Sequence, residues 1–416
     1  MGPRLDNGDE LGGDALASTR RVPWRTHDVW AISLSACFAD LGYQSVLASF
    51  PLFLVITLHQ PVWEFGLASA LSYGGGALFS YAGGRIGDRV GHRKLALVGN
   101  SFIPLLSLCA LVFNPVWAIG LLTGGWWARN LRSPSRRMML VDAVPDENDR
   151  SSAFGFLHAL DVGGGVFAGV YVMIAITAHV SFKWIFLGTV IPLAVSTVSL
   201  SRAHVGARRD ADHEVADSDD AGPPPPGTRA LLVAAALYGF TFYSVGFPVL
   251  TVAQGSGRLL AGIGAFLLLQ AVSAATGYIL GGRLGKTAAD QFARLGLLGY
   301  LGAALGAGVM ALGYGAHLGL WVLMVGVAVI GFALGVVETL EPTAMSVLRT
   351  GAHAGRAMGA LSAARSIGTF VGNLAMGLLY GVGVSFAYGY AGILAAIAGI
   401  IVLFAVPAVR SWQLER

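Results

Sequence analysis

Between two long apolar runs the sequence reads Gly84-Arg85-Ile86-Gly87-Asp88-Arg89-Val90-Gly91-His92-Arg93-Lys94. The flanking runs, near residues 62–84 and 94–113, are each close to the roughly 20 residues that a helix needs to cross a bilayer. The start of this segment recurs 198 positions later as Gly281-Gly282-Arg283-Leu284-Gly285, again at the end of an apolar run. The repetition indicates a chain built from two related halves.

The composition is that of a membrane protein. Apolar residues make up 55% of the 416 residues, charged residues only 12%, and the mean hydropathy is +0.66. A water-soluble protein does not bury so large an apolar fraction. The 58 glycines lie mostly inside apolar runs, where small residues allow membrane helices to pack closely.

Turn residues and charge clusters divide the chain into twelve apolar runs of spanning length. These predicted spans, numbered 1 to 12, lie near residues 30–57, 62–84, 94–113, 116–141, 151–176, 184–201, 230–252, 259–282, 292–314, 318–346, 356–381 and 386–408. The chain is therefore expected to be an all-α membrane protein.

The polar segments divide the chain further. Residues 1–27 lack the apolar core of a signal peptide and are expected to be a soluble tail. Residues 202–229, with four consecutive prolines, read as a flexible linker between halves at 28–201 and 230–408. Residues 409–416 form a short second tail.

Basic residues are distributed unequally between the two membrane faces. The face that carries both chain termini, called the terminal side below, receives 22 Lys and Arg residues, whereas the opposite side receives Lys183 and Arg258. By the positive-inside rule both termini are cytoplasmic, in an inner or plasma membrane. Because membrane topology accounts for the positive net charge, no nucleic-acid partner is expected.

The segment at 84–94 resembles the loop signature of the major facilitator superfamily, which reads Gly, any, Leu, any, Asp, Arg, any, Gly, Arg, Arg or Lys. The matching residues are Gly84, Asp88, Arg89, Gly91, Arg93 and Lys94. The match departs at His92, where arginine is usual, and the second copy has Lys286 in place of the acid. The resemblance covers residues 28–408. It implies two six-helix bundles, related by a pseudo-twofold axis, around a central cavity, and secondary active transport by alternating access.

The resemblance also suggests a gate. Asp88 is expected to latch the cytoplasmic mouth by facing the positive N-terminal end of span 11, which begins near Arg356. The alternative is that the segment is only a turn-forming, positively charged loop.

Ionisable residues inside the spans are functional candidates, because an unpaired charge in hydrocarbon costs several kcal/mol. They are Asp40, Arg129, Arg132, His158, Asp161, Glu338, Glu341 and Arg365. Aligning the halves places Asp161 opposite Arg365, at an offset of 204, and basic span 4 opposite acidic span 10. We therefore expect a salt-bridge network across the cavity, which either takes part in transport or only locks the halves together.

A proton-coupled carrier needs a carboxyl group that gains and loses a proton. Asp161 and Asp40 rank above Glu338 because each has polar neighbours one turn away, His158 for Asp161 and Tyr43 for Asp40. His158 is expected to be either a proton relay or a packed, hydrogen-bonded side chain.

The leading hypothesis is export of a small organic solute, driven by the proton gradient. Gly165 and Gly169 partly match an antiporter signature of span 5, although Val170 stands where proline is usual. Uptake of a polar or anionic solute by symport is the alternative. A membrane-embedded enzyme is a third class, disfavoured because the chain has no metalloprotease, serine-hydrolase or Cys/His metal motif. We therefore expect no catalytic residue, metal or cofactor, and a monomer whose partners are the solute and the bilayer.

Overall fold

The structure is a computed structural model that describes residues 24–144, 147–205, 225–241, 244–281, 287–348 and 354–415. Within its helices, the side chains of residues 147–152, 280–281, 346 and 354–359 are outside the description. Most of the expected tail at 1–27 and of the linker at 202–229 also lies outside it, so both assignments stay predictions.

Each predicted span of the first half contains a helix. Their bounds are His27–Pro51 with a π-helical turn Leu52–Thr57; Val62–Ser69, Ala70–Gly74 (π) and Gly75–Val90; His92–Phe102 with a 3₁₀ segment Ile103–Leu111; Pro115–Ala143; Glu147–Thr177; and Phe182–Gly188 with Val190–Ser201.

The second half repeats this arrangement. Its helices are Thr228–Thr241 and Gly246–Ser256; Leu259–Gly281; Ala288–Arg294, Leu295–Tyr300 (π) and Leu301–Gly315; Leu320–Leu348; Ala354–Val382; and Val384–Leu414. The last helix continues to Leu414, so most of the tail expected at 409–416 is helical.

Nine helices among the described residues are long and apolar enough to cross a membrane. The helices of spans 2, 4 and 11 are outside this group. Glycine and serine lower the hydropathy of span 2, and arginine lowers that of spans 4 and 11. Arg129 and Arg132 of span 4 and Arg365 of span 11 contact other protein side chains rather than lipid.

The helix pairings show the pseudo-twofold relation directly. In the first half, span 1 packs on span 5, span 2 on span 4 and span 3 on span 6. The equivalent spans of the second half pack in the same way: span 7 on span 11, span 8 on span 10 and span 9 on span 12. Between the halves, span 2 packs on span 11 and span 5 on span 8, and the same operation exchanges these two pairs. The expected two six-helix bundles are therefore confirmed.

Equivalent glycines make close helix approaches in the two halves. Gly164 of span 5 and Gly368 of span 11 are 204 positions apart. A methyl group added to Gly164 would overlap the carbonyl oxygen of Cys37 in span 1, and one added to Gly368 would lie 2.5 Å from the carbonyl oxygen of Ala236 in span 7. Only glycine permits this spacing between backbones.

We predict that Gly164→Ala destabilises the protein by roughly 1–3 kcal/mol, the usual cost of overpacking a tight interior. The neighbouring Gly163 supplies the matched control, since a methyl group there meets no atom within 4 Å. Gly163→Ala is expected to be neutral or stabilising, because alanine favours the helix. Thermal unfolding of the two detergent-purified variants compares them, and equal melting temperatures would contradict the packing role of Gly164.

Candidate functional site

The two halves touch on the side opposite the termini. A methyl group added to Gly66 of span 2 would lie 2.8 Å from both the Asn373 carbonyl oxygen and the Gly377 Cα of span 11. The Phe65 ring packs edge-on against Phe247 of span 7, with their centroids 4.9 Å apart. These contacts close the space between the halves on that side.

Two cavities lie toward the terminal side. A cavity of about 890 Å³ lies beside the contact of span 2 with span 11, and Gly74, Leu78, Ser366 and Phe370 are among its lining residues. A second cavity of about 600 Å³ is more polar. Its lining includes Asp88, Arg129, Asn130, Ser133, Arg136 and Asp161. Both spaces are large enough for a small organic solute.

The first group of charged residues, the N-half cluster, comprises Asp40, Tyr43, Arg129, Arg136 and Asp161. The Tyr43 hydroxyl donates to Asp40 Oδ1 one turn earlier on span 1. Arg129 Nη2 donates to the Tyr43 hydroxyl at 3.4 Å, and Arg136 Nη2 lies 3.2 Å from Asp161 Oδ2. Span 4 therefore supplies one guanidinium group toward span 1 and another toward span 5.

Several polar atoms of this cluster have no protein partner. They are Arg129 Nε, Arg136 Nε, Arg136 Nη1 and Asp161 Oδ1, all buried. The Arg136 side chain is only 5% exposed, whereas that of Asp161 is 24% exposed. Because buried polar groups normally have hydrogen-bond partners, this edge of the cavity is suited to a polar ligand.

Arg129 is also held by aromatic rings. Its guanidinium carbon lies 4.9 Å from the centroid of the Trp126 ring and 5.3 Å from that of Tyr43. Cation–π contacts of this kind support a charge where water is scarce.

The second group, the C-half cluster, comprises Tyr300, Glu338, Glu341 and Arg365. Arg365 Nη2 lies 2.9 Å from Glu338 Oε1, and Arg365 Nη1 lies 3.1 Å from Glu341 Oε2. The Tyr300 hydroxyl donates to Glu341 Oε1 at 2.6 Å. Glu341 is 1% exposed and Glu338 is 51% exposed. The half-exposed Glu338 is therefore the carboxylate of this cluster that a solute or water can reach.

The prediction that Asp161 and Arg365 form salt bridges between the halves is wrong. Asp161 pairs with Arg136 within the first half, and Arg365 pairs with Glu338 and Glu341 within the second. Asp161 and Arg365 are equivalent in the repeat, but a pseudo-twofold axis carries one position onto the other without bringing them into contact.

Two of the ionisable residues predicted as functional candidates, Arg132 and His158, lie away from the cavity interior. Arg132 is fully buried and its Nη1 donates to Asn100 Oδ1 of span 3 at 2.7 Å, so it connects span 4 to its neighbour within the same half. His158 has an exposed side chain, and the carboxylate of Asp161 is bound by Arg136 instead. The sequence did not indicate Asn100, Tyr300 or Arg136 as partners, although Asn100 is recognisable in it as an amide within an apolar run.

The loop signature has a clear local structure. Gly91, with φ of 94°, separates the helices of spans 2 and 3, and few residues other than glycine adopt this conformation. Arg93 donates to the carbonyl oxygens of Ser201 and Ala203 at the end of span 6, at 2.7 and 2.8 Å. Arg89 and Lys94 are exposed.

Asp88 contacts the residue at which the signature departs from its usual form. Asp88 Oδ1 lies 3.3 Å from His92 Nε2, and His92 Nδ1 lies 3.3 Å from the Ser135 hydroxyl of span 4. The buried His92 thus joins the loop acid to span 4. The expected partner of Asp88, near Arg356, lies outside the described side chains, so the latch stays a prediction.

One group of described residues has the composition of a metal site, outside both cavities. His27, Asp28 and His204 offer ligand atoms that all lie within 4.8 Å of one another. Asp28 Oδ1 also accepts a hydrogen bond from the His204 backbone N–H at 3.0 Å. The contact fastens the segment after span 6 to the start of span 1. That the protein has no metal or cofactor stays a prediction.

Comparisons with known proteins agree with this architecture. The family model of the Major Facilitator Superfamily matches residues 32–348. A search of characterised protein sequences finds no significant match.

Solved structures with the same fold are distant in sequence. A POT family transporter in complex with a thioalcohol-conjugated peptide has a TM-score of 0.73 at 13% identity, over 92% of this chain and 96% of the other. A proton-dependent oligopeptide transporter has a TM-score of 0.67 at 16% identity, over 93% and 100%. A bacterial homologue of the human lysosomal transporter Spinster, inward-facing and unoccupied, has a TM-score of 0.66 at 12% identity, over 95% and 98%. At these identities the likeness shows the fold alone.

We predict a ranking of stabilities from the C-half cluster. Arg365→Leu leaves the fully buried Glu341 without its cationic partner, which should cost on the order of 3–5 kcal/mol, as for other broken buried ion pairs. Glu341→Gln keeps a side-chain oxygen toward Tyr300 and leaves Arg365 paired with Glu338, so it should cost less. The double variant Arg365→Leu with Glu341→Gln should recover part of the loss. Denaturation in detergent measures all three, and additive losses would show that the two residues are not coupled.

Proposed function

This chain belongs to the major facilitator superfamily, and from that premise we propose that it is a proton-coupled transporter that exports a small organic solute by alternating access. Its fold is that of secondary active transporters, which move solutes across a membrane rather than convert them. The observation that carries the finer proposal is the Arg136–Asp161 pair at the edge of the polar cavity.

The Arg136–Asp161 pair offers two different binding groups. Asp161 has one oxygen free of protein partners, and Arg136 has two nitrogens free of them, Nε and Nη1. A cationic or N–H donor solute at Asp161 Oδ1 favours the ionised carboxylate and therefore competes with the proton. An anionic solute at Arg136 withdraws the guanidinium from Asp161 and therefore favours the protonated acid. Whether the solute competes with the proton or binds together with it therefore depends on whether the solute binds Asp161 or Arg136.

Competition between solute and proton produces antiport, so export driven by the inward proton gradient requires the first arrangement. The span 5 glycines that suggested antiport lie at the contact between the halves. A methyl group added to Gly169 would meet Leu267 and Phe266 of span 8, and one added to Gly165 would lie 3.7 Å from Gln270 Nε2. Span 5 thus carries both Asp161 and the small residues on which the halves approach, which supports coupling between protonation and the movement of the halves.

Proton-linked uptake of a polar or anionic solute is the second candidate. The N-half cluster has Arg129 and Arg136 facing the cavity, with unpartnered N–H groups on both. The fold shared with a proton-dependent oligopeptide transporter is compatible with this candidate. In this arrangement the solute and the proton bind together and move in the same direction.

We predict that solute affinity depends on pH through Asp161. Export by antiport requires affinity to fall as the pH falls, by up to about tenfold per pH unit for one linked proton, whereas symport requires it to rise. A thermal-shift screen of cationic, neutral and anionic compounds first identifies a ligand, and calorimetric titration at several pH values then gives the sign. Asp161→Asn should remove the dependence and abolish solute-coupled proton flux in proteoliposomes.

The exposed acid Asp290 supplies the control, because it lies on the terminal side away from the cavities. Asp290→Asn should keep both the pH dependence and the coupled flux. Unchanged coupling in Asp161→Asn would transfer the proton role to Asp40 or Glu338, and the absence of proton flux in the wild type with a transported solute would refute proton coupling.

We further propose that the Asp88–His92 contact takes part in gating on the cytoplasmic side. Asp88→Asn should leave folding intact, since the Asp88 side chain is 67% exposed, but should reduce turnover severalfold by weakening the contact between the Asp88 carboxylate and His92. The exposed Arg89→Gln, one residue away, controls for a change of charge in the loop. Transport at the wild-type rate in Asp88→Asn would exclude the gate.

A further inference from the structure

The two basic residues assigned to the side opposite the termini lie at a single cavity. Lys183, at the start of span 6, and Arg258, just before span 8, both line a space of about 930 Å³. Lys183 belongs to the first half of the protein and Arg258 to the second. This face therefore gathers its two cations at the boundary between the halves.

Helix-ending turns fix the backbone on both sides of this cavity. Span 5 ends with His179 at a φ of 56°, and Val180 N–H donates to the Ala175 carbonyl oxygen at 2.9 Å. Span 7 ends with Gly257 at a φ of 66°, and Arg258 N–H donates to the Ala253 carbonyl oxygen at 3.1 Å. Both are left-handed C-terminal caps closed by a 6→1 hydrogen bond. Their geometry places the two basic residues at the ends of membrane helices.

The rest of the lining is largely apolar and open to the membrane. Phe113 is 85% exposed and Leu260 is 40% exposed, while Phe53 and Phe182 pack against each other with their centroids 6.1 Å apart. Trp184, 62% exposed, lies beside Lys183, whose Nζ is 5.6 Å from the indole centroid. Exposed tryptophan next to lysine is typical of the membrane–water interface. The site thus combines an apolar wall with a cationic rim.

We propose that this cavity binds the phosphate headgroup of an anionic phospholipid between Lys183 and Arg258, with an acyl chain along Phe113 and Leu260. The ligand has to be amphipathic and anionic to match both parts of the lining. It is distinct from the transported solute, whose cavities lie toward the terminal side.

The lipid also favours one conformation. Spans 5 and 8 are in contact on this side, where Leu267 and Phe266 pack against Gly169. Opening this side moves the two halves apart and so separates Lys183 from Arg258. A headgroup bound to both residues stabilises the conformation that is closed here, because a ligand shifts the equilibrium toward the state it binds better. The leaflet composition therefore regulates alternating access.

The test uses the full chain in nanodiscs of phosphatidylcholine, with or without phosphatidylglycerol, and native mass spectrometry to count retained lipid. The wild type should retain phosphatidylglycerol, and Lys183→Gln with Arg258→Gln should bind it on the order of thirty-fold more weakly. Arg202→Gln with Arg410→Gln, which removes two exposed charges on the terminal side, should bind like the wild type. Equal retention by the Lys183/Arg258 double variant would overturn the site.

Two further arms check the chemistry and the conformational effect. Lys183→Arg with Arg258→Lys keeps both charges and should retain phosphatidylglycerol. The wild type is also heated in pure phosphatidylcholine with inorganic phosphate. If phosphate stabilised it against thermal unfolding as much as phosphatidylglycerol does, the site would bind free anions and the lipid assignment would be overturned. Spin labels at Ala178→Cys and Leu318→Cys, one in each half, should shift toward the shorter distance when phosphatidylglycerol is present. A distance distribution indifferent to the lipid would overturn the conformational role.

Discussion

A charge within the bilayer core must have its partner inside the protein, and here each described pair within the spans lies in a single half. Arg136 binds Asp161 within the first half, and Arg365 binds Glu338 and Glu341 within the second. Breaking a buried ion pair costs several kcal/mol because it leaves an unpaired charge in a medium of low polarity. A pair between the halves would impose that cost each time the halves separated. Pairing within the halves removes this barrier to alternating access.

The contact between the halves is built from different chemistry. On the closed side, Gly66 meets the backbone of span 11, and the rings of Phe65 and Phe247 pack edge to face. When the halves separate on this side, these side chains contact lipid or water instead of protein, and no buried charge is exposed. Its stability depends on close packing, which is lost steeply with distance. The two halves can therefore act as rigid bodies that meet on an apolar surface and carry their charges internally.

The sequence predicted the spans, the repeat and the two-bundle fold because these depend on properties that the chain displays locally: apolar length, glycine content and the loop signature. The repeat even located equivalent residues, since Gly164 and Gly368 share the offset of 204 that relates Asp161 to Arg365. Equivalence under a twofold axis does not imply contact, however, and the partner of each charge comes from a neighbouring span. Tyr300 reaches Glu341 from span 9 across 41 residues. No spacing rule in the sequence announces such a contact, so the partners required the packed structure.

The residual charges of the two clusters suggest how solute and proton are recognised. In the N-half cluster Arg129 and Arg136 face Asp40 and Asp161, so the charges balance, yet Arg136 and Asp161 keep polar atoms without a protein partner. In the C-half cluster Arg365 alone faces two carboxylates, and Glu338 is the more accessible of them. One proton on either glutamate would make that cluster neutral. The cluster of the first half is thus charge-balanced but has polar atoms without a protein partner. The cluster of the second half has one more negative than positive charge. In the proposed function, a solute that spans the cavity meets both clusters, and its own charge determines whether it replaces the proton or binds with it.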